Sequence, residues 1–131
     1  KSNIAKTANT IKTYLFYNFE HKVKIKKLKQ LNIKTVKIGL YKGHLDFEKI
    51  IFFIKSKGFH RLLIESGIEF NNFLLDNNYI NEFYHFYSND IFGKKGLYNT
   101  KKFLKKLNRL KKSKKRIKVN LFGDRLNKYM F

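Results

Sequence analysis

Strand-like and helix-like stretches alternate along this 131-residue chain, and they predict an α/β fold: a mixed, mostly parallel sheet flanked by helices and ending in an antiparallel strand pair. Three observations carry that expectation. Aromatic and β-branched runs recur with helical patterns between them. One of those helical patterns, behind Asp46, has clean three-and-four spacing. The chain closes on two strand-like runs joined through Gly123 and Asp124, a plausible hairpin turn.

In chain order, residues 10–17 (TIKTYLFY) read as a strand by composition. Residues 21–31 set Val23, Ile25, Leu28 and Leu31 among lysines, the pattern of a short amphipathic helix. Residues 35–40 (TVKIGL) return to strand character, and Gly43 supplies a tight connection. The Asp46 carboxylate can accept from the first unpaired amides of a helix whose apolar face is Phe47, Ile50, Ile51 and Ile54. Gly58 marks its end. Residues 61–64 are expected as an apolar strand, 67–77 as a second helix and 82–87 as a strand. A glycine-bearing loop over 93–99 precedes the lysine-rich stretch 101–118, where Phe103, Leu107 and Leu110 form one helical stripe. Residues 117–122 and 125–131 complete the count as paired strands.

Composition narrows the function classes. With 43% hydrophobic residues, including 14 Phe and 8 Tyr, the chain has the apolar surface a folded unit needs. One domain spanning 1–131 is the expectation from length. The longest purely apolar run, 50–54, is far short of a bilayer span. No secretory signal is visible, and the lack of cysteine removes disulfides, thiolate metal sites and cysteine nucleophiles. A cytoplasmic location fits. The net charge of +21 suggests polyanions. The same excess follows from 26 Lys against 4 Arg, with 14 Asn, 13 Ile and 2 Ala, residues whose codons track AT-rich sequence.

The segment with most chemistry is RLLIESGIEFNNFLLDN, residues 61–77. Its apolar start would end on Glu65, and ligands of open α/β sheets sit at such strand ends. Ser66 and Glu69 have capping-box spacing. Gly67 lets a ligand approach the backbone, and the amides that follow favour an anion such as a nucleotide phosphate. An ordinary capped helix after a strand is the plainer reading of the same residues. His44, His60 and His85 stand apart and read as solvent-facing or turn histidines rather than metal ligands. Among Phe83, Tyr84, Phe86 and Tyr87, one alternating set is expected to pack into the core; base stacking is the other use of such rings.

IESGIEFNNFLLDNNYINEFYHFYSNDIFGKKG resembles the signature of the reductase domain of the riboflavin-biosynthesis bifunctional deaminase/reductase family, with Glu65, Gly67, Leu74, Glu82 and Gly93 at the expected places. KGHLDF at 42–47 and the closing FGDRLNKYMF extend the likeness from about residue 10 to the end. The family usually has two glycines after the glutamate, where this chain has Ser66 and Gly67, and Tyr17 lies where a small hydroxyl residue is common. The resemblance implies a dihydrofolate-reductase-like fold and NADPH-dependent reduction of 5-amino-6-(5-phosphoribosylamino)uracil to its ribitylamino product. It implies that Glu65 contacts substrate and that Gly67, Ile68, Glu69, Phe70, Asn71, Asn72 and Phe73 hold NADPH. It also implies a fused or separate deaminase as partner and a homodimer. The short apolar runs give no membrane partner, and nucleic acid is the less favoured partner. Strands and helices that the family places before this region are expected to be missing, making this a partial reductase domain. The competing class is a basic nucleic-acid-binding protein that uses 101–118.

Overall fold

An aromatic or β-branched run becomes a strand only where a neighbour supplies its ladder hydrogen bonds, and this decides which of the expected strands form. The computed structural model describes residues 2–89 and 100–131. It is mixed α/β and divides after Leu63 into two compact units.

The first unit begins with a short helix α1 (Asn3–Thr7), capped by the Ser2 hydroxyl, which accepts from the Ala5 amide. Strand β1 (Tyr14–Tyr17) pairs in parallel with β2 (Lys34–Lys37), and helix α2 (Lys22–Gln30) makes the crossover between them. The His21 Nδ1 accepts from the Lys24 amide and caps α2. A two-residue hairpin, β3 (Leu40–Tyr41) with β4 (His44–Leu45), turns at Lys42 and Gly43, both at positive φ. Helix α3 (Phe47–Ser56) follows. Asp46 caps it as expected, its Oδ1 accepting from the Lys49 amide at 3.2 Å. The spacing read from sequence is the buried face: Phe47 is buried, Ile50, Ile51 and Ile54 are half-buried, and Phe52 points to solvent. Phe53 lies edge-on to the rings of Tyr14 and Phe16, joining α3 to β1.

In the second unit, helix α4 (Ile68–Asp76) leads into β5 (Glu82–Tyr87). Helix α5 (Thr100–Leu110), β6 (Ser113–Ile117) and β7 (Arg125–Met130) follow. The three strands form an antiparallel sheet in the order β5-β7-β6. Its core is Leu75, Phe103, Leu107 and Tyr129, flanked by Ile68, Ile80, Phe83, Leu104 and Phe131. Both helices therefore press on one sheet face. An ion pair between Lys106 and Asp76 links α5 to α4.

Several expectations are corrected. Among the described residues one strand pairing is parallel, β1 with β2, and three are antiparallel, so the sheets are not mostly parallel. Residues 61–64 form no strand. A parallel strand is stable when covered on both faces, whereas Leu63 is 81% exposed and no described strand pairs with it. The strand expected at 117–122 instead occupies Ser113–Ile117, because its partners are residues 126–130. Residues 118–124 are the hairpin loop, ending in a tight turn where the Asp124 amide donates to the Leu121 carbonyl at 3.0 Å. Phe122 and Gly123 at its centre both have positive φ, the pattern of a type I′ turn. The loop expected at 93–99, with Gly93, lies outside the described residues.

Candidate functional site

The sequence places its candidate site where the irregular segment after α3 enters α4. Glu65 is exposed, and it precedes a helix rather than ending a strand. Gly67 is the N-cap residue of α4 at φ −69° and ψ 169°, an extended conformation open to any residue, and no side chain caps the helix. A Cβ built at Gly67 would meet nothing within 4 Å, so its flank is open to a ligand.

The capping box expected from Ser66 and Glu69 does not form. The Ser66 hydroxyl instead donates to Asn71 Oδ1 at 2.8 Å, and Asn71 Nδ2 donates back to the Ser66 carbonyl at 3.1 Å. The Asn71 amide also donates to the Gly67 carbonyl at 3.1 Å, so one residue holds two successive carbonyls. This two-point contact across five residues carries no short-range motif, and only the pair of small polar residues at 66 and 71 announces it.

The remaining predicted residues divide by face. Ile68 packs against the core and Leu74 and Leu75 are buried, which anchors α4. Gly67, Glu69 and Phe70 face solvent, while Asn72 and Phe73 are half-buried. Phe70 and Phe73 stack in parallel, centroids 5.7 Å apart, and Phe73 leans on Tyr79. The turn therefore joins an exposed carboxylate, an uncapped helix start and an aromatic pair. Glu69 adds negative charge to that first turn and opposes an anion there. The first amides of α4 carry no side-chain cap, and the exposed carboxylates of Glu65 and Glu69 stand beside them in sequence. An open cleft of about 590 Å³ lies elsewhere, at the β6–β7 hairpin, lined by Arg116, Lys118, Asn120, Asp124 and Arg125 among others. None of residues 65–73 lines it.

Glu82, another position of the resemblance, has a structural task. One oxygen accepts from Lys128 Nζ at 2.7 Å and the other from the Tyr84 hydroxyl at 2.9 Å, tying β5 to β7. Glu82, and then Tyr84, hold the Lys128 ammonium above its usual range. The aromatic cluster splits in part as strand alternation requires: Phe83 packs on Phe103 and Tyr129, and Tyr84 and Phe86 are exposed on the opposite face, but Tyr87, on the face of Phe83 at the strand's end, is exposed as well. His85 shares the face of Phe83, and burial, followed by the Lys114 ammonium, pushes its pKa down. No helix among the described residues is long and apolar enough to cross a membrane. Compared with known proteins, the chain matches no family model, and no curated protein is similar to it.

Proposed function

We propose that this chain belongs to a riboflavin-pathway reductase domain, a module that reduces 5-amino-6-(5-phosphoribosylamino)uracil with NADPH. One observation carries the reading: a Glu-small-Gly turn enters a helix that has no side-chain cap and an open glycine flank. NADPH, when bound, supplies the hydride, and the protein supplies position and electrostatics. The residues that would hold it are Gly67 and the start of α4, with Phe70 and Phe73 as an apolar surface for a flat ring. Glu65, exposed at the edge of the turn, would accept hydrogen bonds from substrate hydroxyl or ring N–H groups. The dihydrofolate-reductase-like fold belongs to the same proposal, supported by the β1-α2-β2 parallel unit and the antiparallel pair that closes the chain. So do a cytoplasmic location, a homodimer and a deaminase partner, which rest on the sequence resemblance.

The test is titration calorimetry of NADPH into the purified chain at two salt concentrations, beside Gly67→Val. The φ and open surroundings of Gly67 accommodate valine, so a lost signal reads ligand approach rather than unfolding. Binding by the wild type alone supports the reading. Absence of binding, or equal binding by both proteins only at low salt, overturns it.

One observation favours the second reading, a nucleic-acid-binding surface over 101–118. Helix α5 buries Phe103 and Leu107 and leaves Lys101, Lys102, Lys105 and Arg109 exposed, a continuous basic face. Its mark would be an affinity for single-stranded RNA that falls steeply and log-linearly with salt.

A further inference from the structure

We propose that the β6–β7 hairpin is a binding site for single-stranded RNA, in which the cleft between its two limbs takes the phosphate backbone and Phe122 at its tip stacks on a base. The inference goes beyond the reductase reading and does not rest on it, because none of residues 65–73 lines the cleft. Three observations converge. The cleft, about 590 Å³, is large enough to hold a small organic group such as a nucleotide. Arg116, Lys118 and Arg125 line it, all three are exposed, and none forms an ion pair with a described carboxylate. Phe122 is 97% exposed and is held at φ 50°. Asn or Gly suits that place in a type I′ turn, since a bulky residue is strained at positive φ. A ring so placed adds nothing to the core and strains the backbone that carries it. The turn is pinned from two sides: Asn89 Nδ2 donates to the Gly123 carbonyl at 3.2 Å, and Asn120 Oδ1 accepts from the Phe122 amide at 3.3 Å.

The chemistry of the partner follows from what the hairpin offers. Guanidinium and ammonium groups attract phosphate, and an exposed ring stacks on any base. Among the described residues Asp124 is the one carboxylate of the lining. It repels a phosphate set against it but accepts a hydrogen bond from a ribose 2′-hydroxyl. An RNA strand carries both partners for this mixed lining, phosphates for the three cations and a sugar hydroxyl for Asp124. An anionic membrane would also meet the cations and the ring. It presents a flat surface, however, which leaves the cleft unused and brings Asp124 against like charge.

The experiment is fluorescence anisotropy of the full chain with a labelled oligouridine of about ten nucleotides, repeated as salt is raised. The variants are Phe122→Asn and the cleft triple Arg116→Gln, Lys118→Gln and Arg125→Gln. A charge-matched control, Lys102→Gln, Lys105→Gln and Arg109→Gln, removes three exposed cations from α5. Asn relieves the strain of the turn, so Phe122→Asn should raise the urea midpoint while weakening RNA roughly tenfold, the loss of one stacked base. The cleft triple should weaken RNA by about tenfold or more and flatten the slope of log affinity against log salt by about 0.7 for each phosphate released. The α5 control, which alters only long-range attraction, should cost less than about threefold. Undiminished affinity in Phe122→Asn, or equal losses in the two triple variants, overturns the proposal. Vesicles of equal parts phosphatidylcholine and phosphatidylserine that bind through Phe122, with no binding of oligouridine, overturn it in favour of a lipid surface. If the cleft triple fails to fold, Lys118→Gln, outside both strands, decides beside Phe122→Asn, and unchanged binding there refutes the proposal. The NADPH titration reads the reductase proposal separately, whichever result is found.

Discussion

Leu107 and Leu110 occupy one helix, and shortening each to alanine separates burial from every other property of the change. Leu107 is 0% exposed within the core of the second unit, whereas Leu110, on the last turn of α5, is 42% exposed. Truncating Leu107 removes three carbon groups from an apolar environment, about 2.4 kcal/mol at about 0.8 per group. If neighbouring side chains leave a void of about 50 Å³, the cavity adds about 1.2 kcal/mol, for a total near 3.6. At Leu110 no enclosed void is left, part of the side chain already meets water, and the gain in helix propensity offsets roughly 0.2 kcal/mol. The expected loss there is about 1 kcal/mol. Urea unfolding followed by far-UV circular dichroism and tyrosine fluorescence reads the difference. With an m-value of about 1.5 kcal/mol/M, Leu107→Ala should lower the midpoint by about 2 M and Leu110→Ala by less than about 1 M. Equal losses, or a loss below about 1.5 kcal/mol at Leu107, would refute the placement of α5 against β5 and β7.

Two further expectations concern pH. The His85 imidazole, held below its usual 6.5 by burial and then by Lys114, takes up its proton more readily in the unfolded chain. Stability should therefore fall as pH drops through 6.5 and stop falling below the folded value; His85→Gln should flatten that step in urea midpoints, and a folded-state NMR midpoint above 6.5 would contradict it. The Asp46 carboxyl lies below 3.8 because the Lys49 side chain, and then its backbone amide, hydrogen-bond the carboxylate. Its contribution is present above 3.8 and lost as pH falls through the lower folded value, so Asp46→Asn should shrink the acid limb of the unfolding curve; an unchanged limb would refute the cap's electrostatic part.

What could be read from the sequence was local. The Asp46 cap and the faces of α3 and α5 follow from spacing along one helix, and each needs only residues within a few positions of one another. Strand partnership is not local. Residues 61–64 have the composition of a strand and lack a partner among the described residues, while 113–117, with lysine or arginine at its three central positions, pair because β7 presents a matching register. Leu110 met the helical spacing of Phe103 and Leu107 but sits where α5 runs out of core to face. The sequence puts the hairpin turn at Gly123 and Asp124, one residue later than Phe122 and Gly123, because a phenylalanine with φ 50° is not foreseeable from composition.

The candidate turn shows the same division at the scale of a site. Residue types at 65–69 suggested a reciprocal cap, because Ser and Glu at that spacing ordinarily satisfy each other's ends of a helix. The competing bond from Asn71 wins for a geometric reason. Gly67, not Ser66, is the N-cap residue, so the Ser66 side chain starts one residue too early to reach the amides and meets the Asn71 side chain one helical turn further on. The exchange changes what the turn can do. A capped start spends its donors internally, whereas this start has no side-chain cap and lies next to a glycine flank with nothing within 4 Å. Glu69, freed from the capping role, then becomes a charge that any anion must overcome, so Glu69→Gln should tighten NADPH by about 0.3–1 kcal/mol, the worth of one charge near a helix start. Tightening that disappears at high salt would identify the helix start as the place where the phosphate sits, and no change in affinity would place it elsewhere.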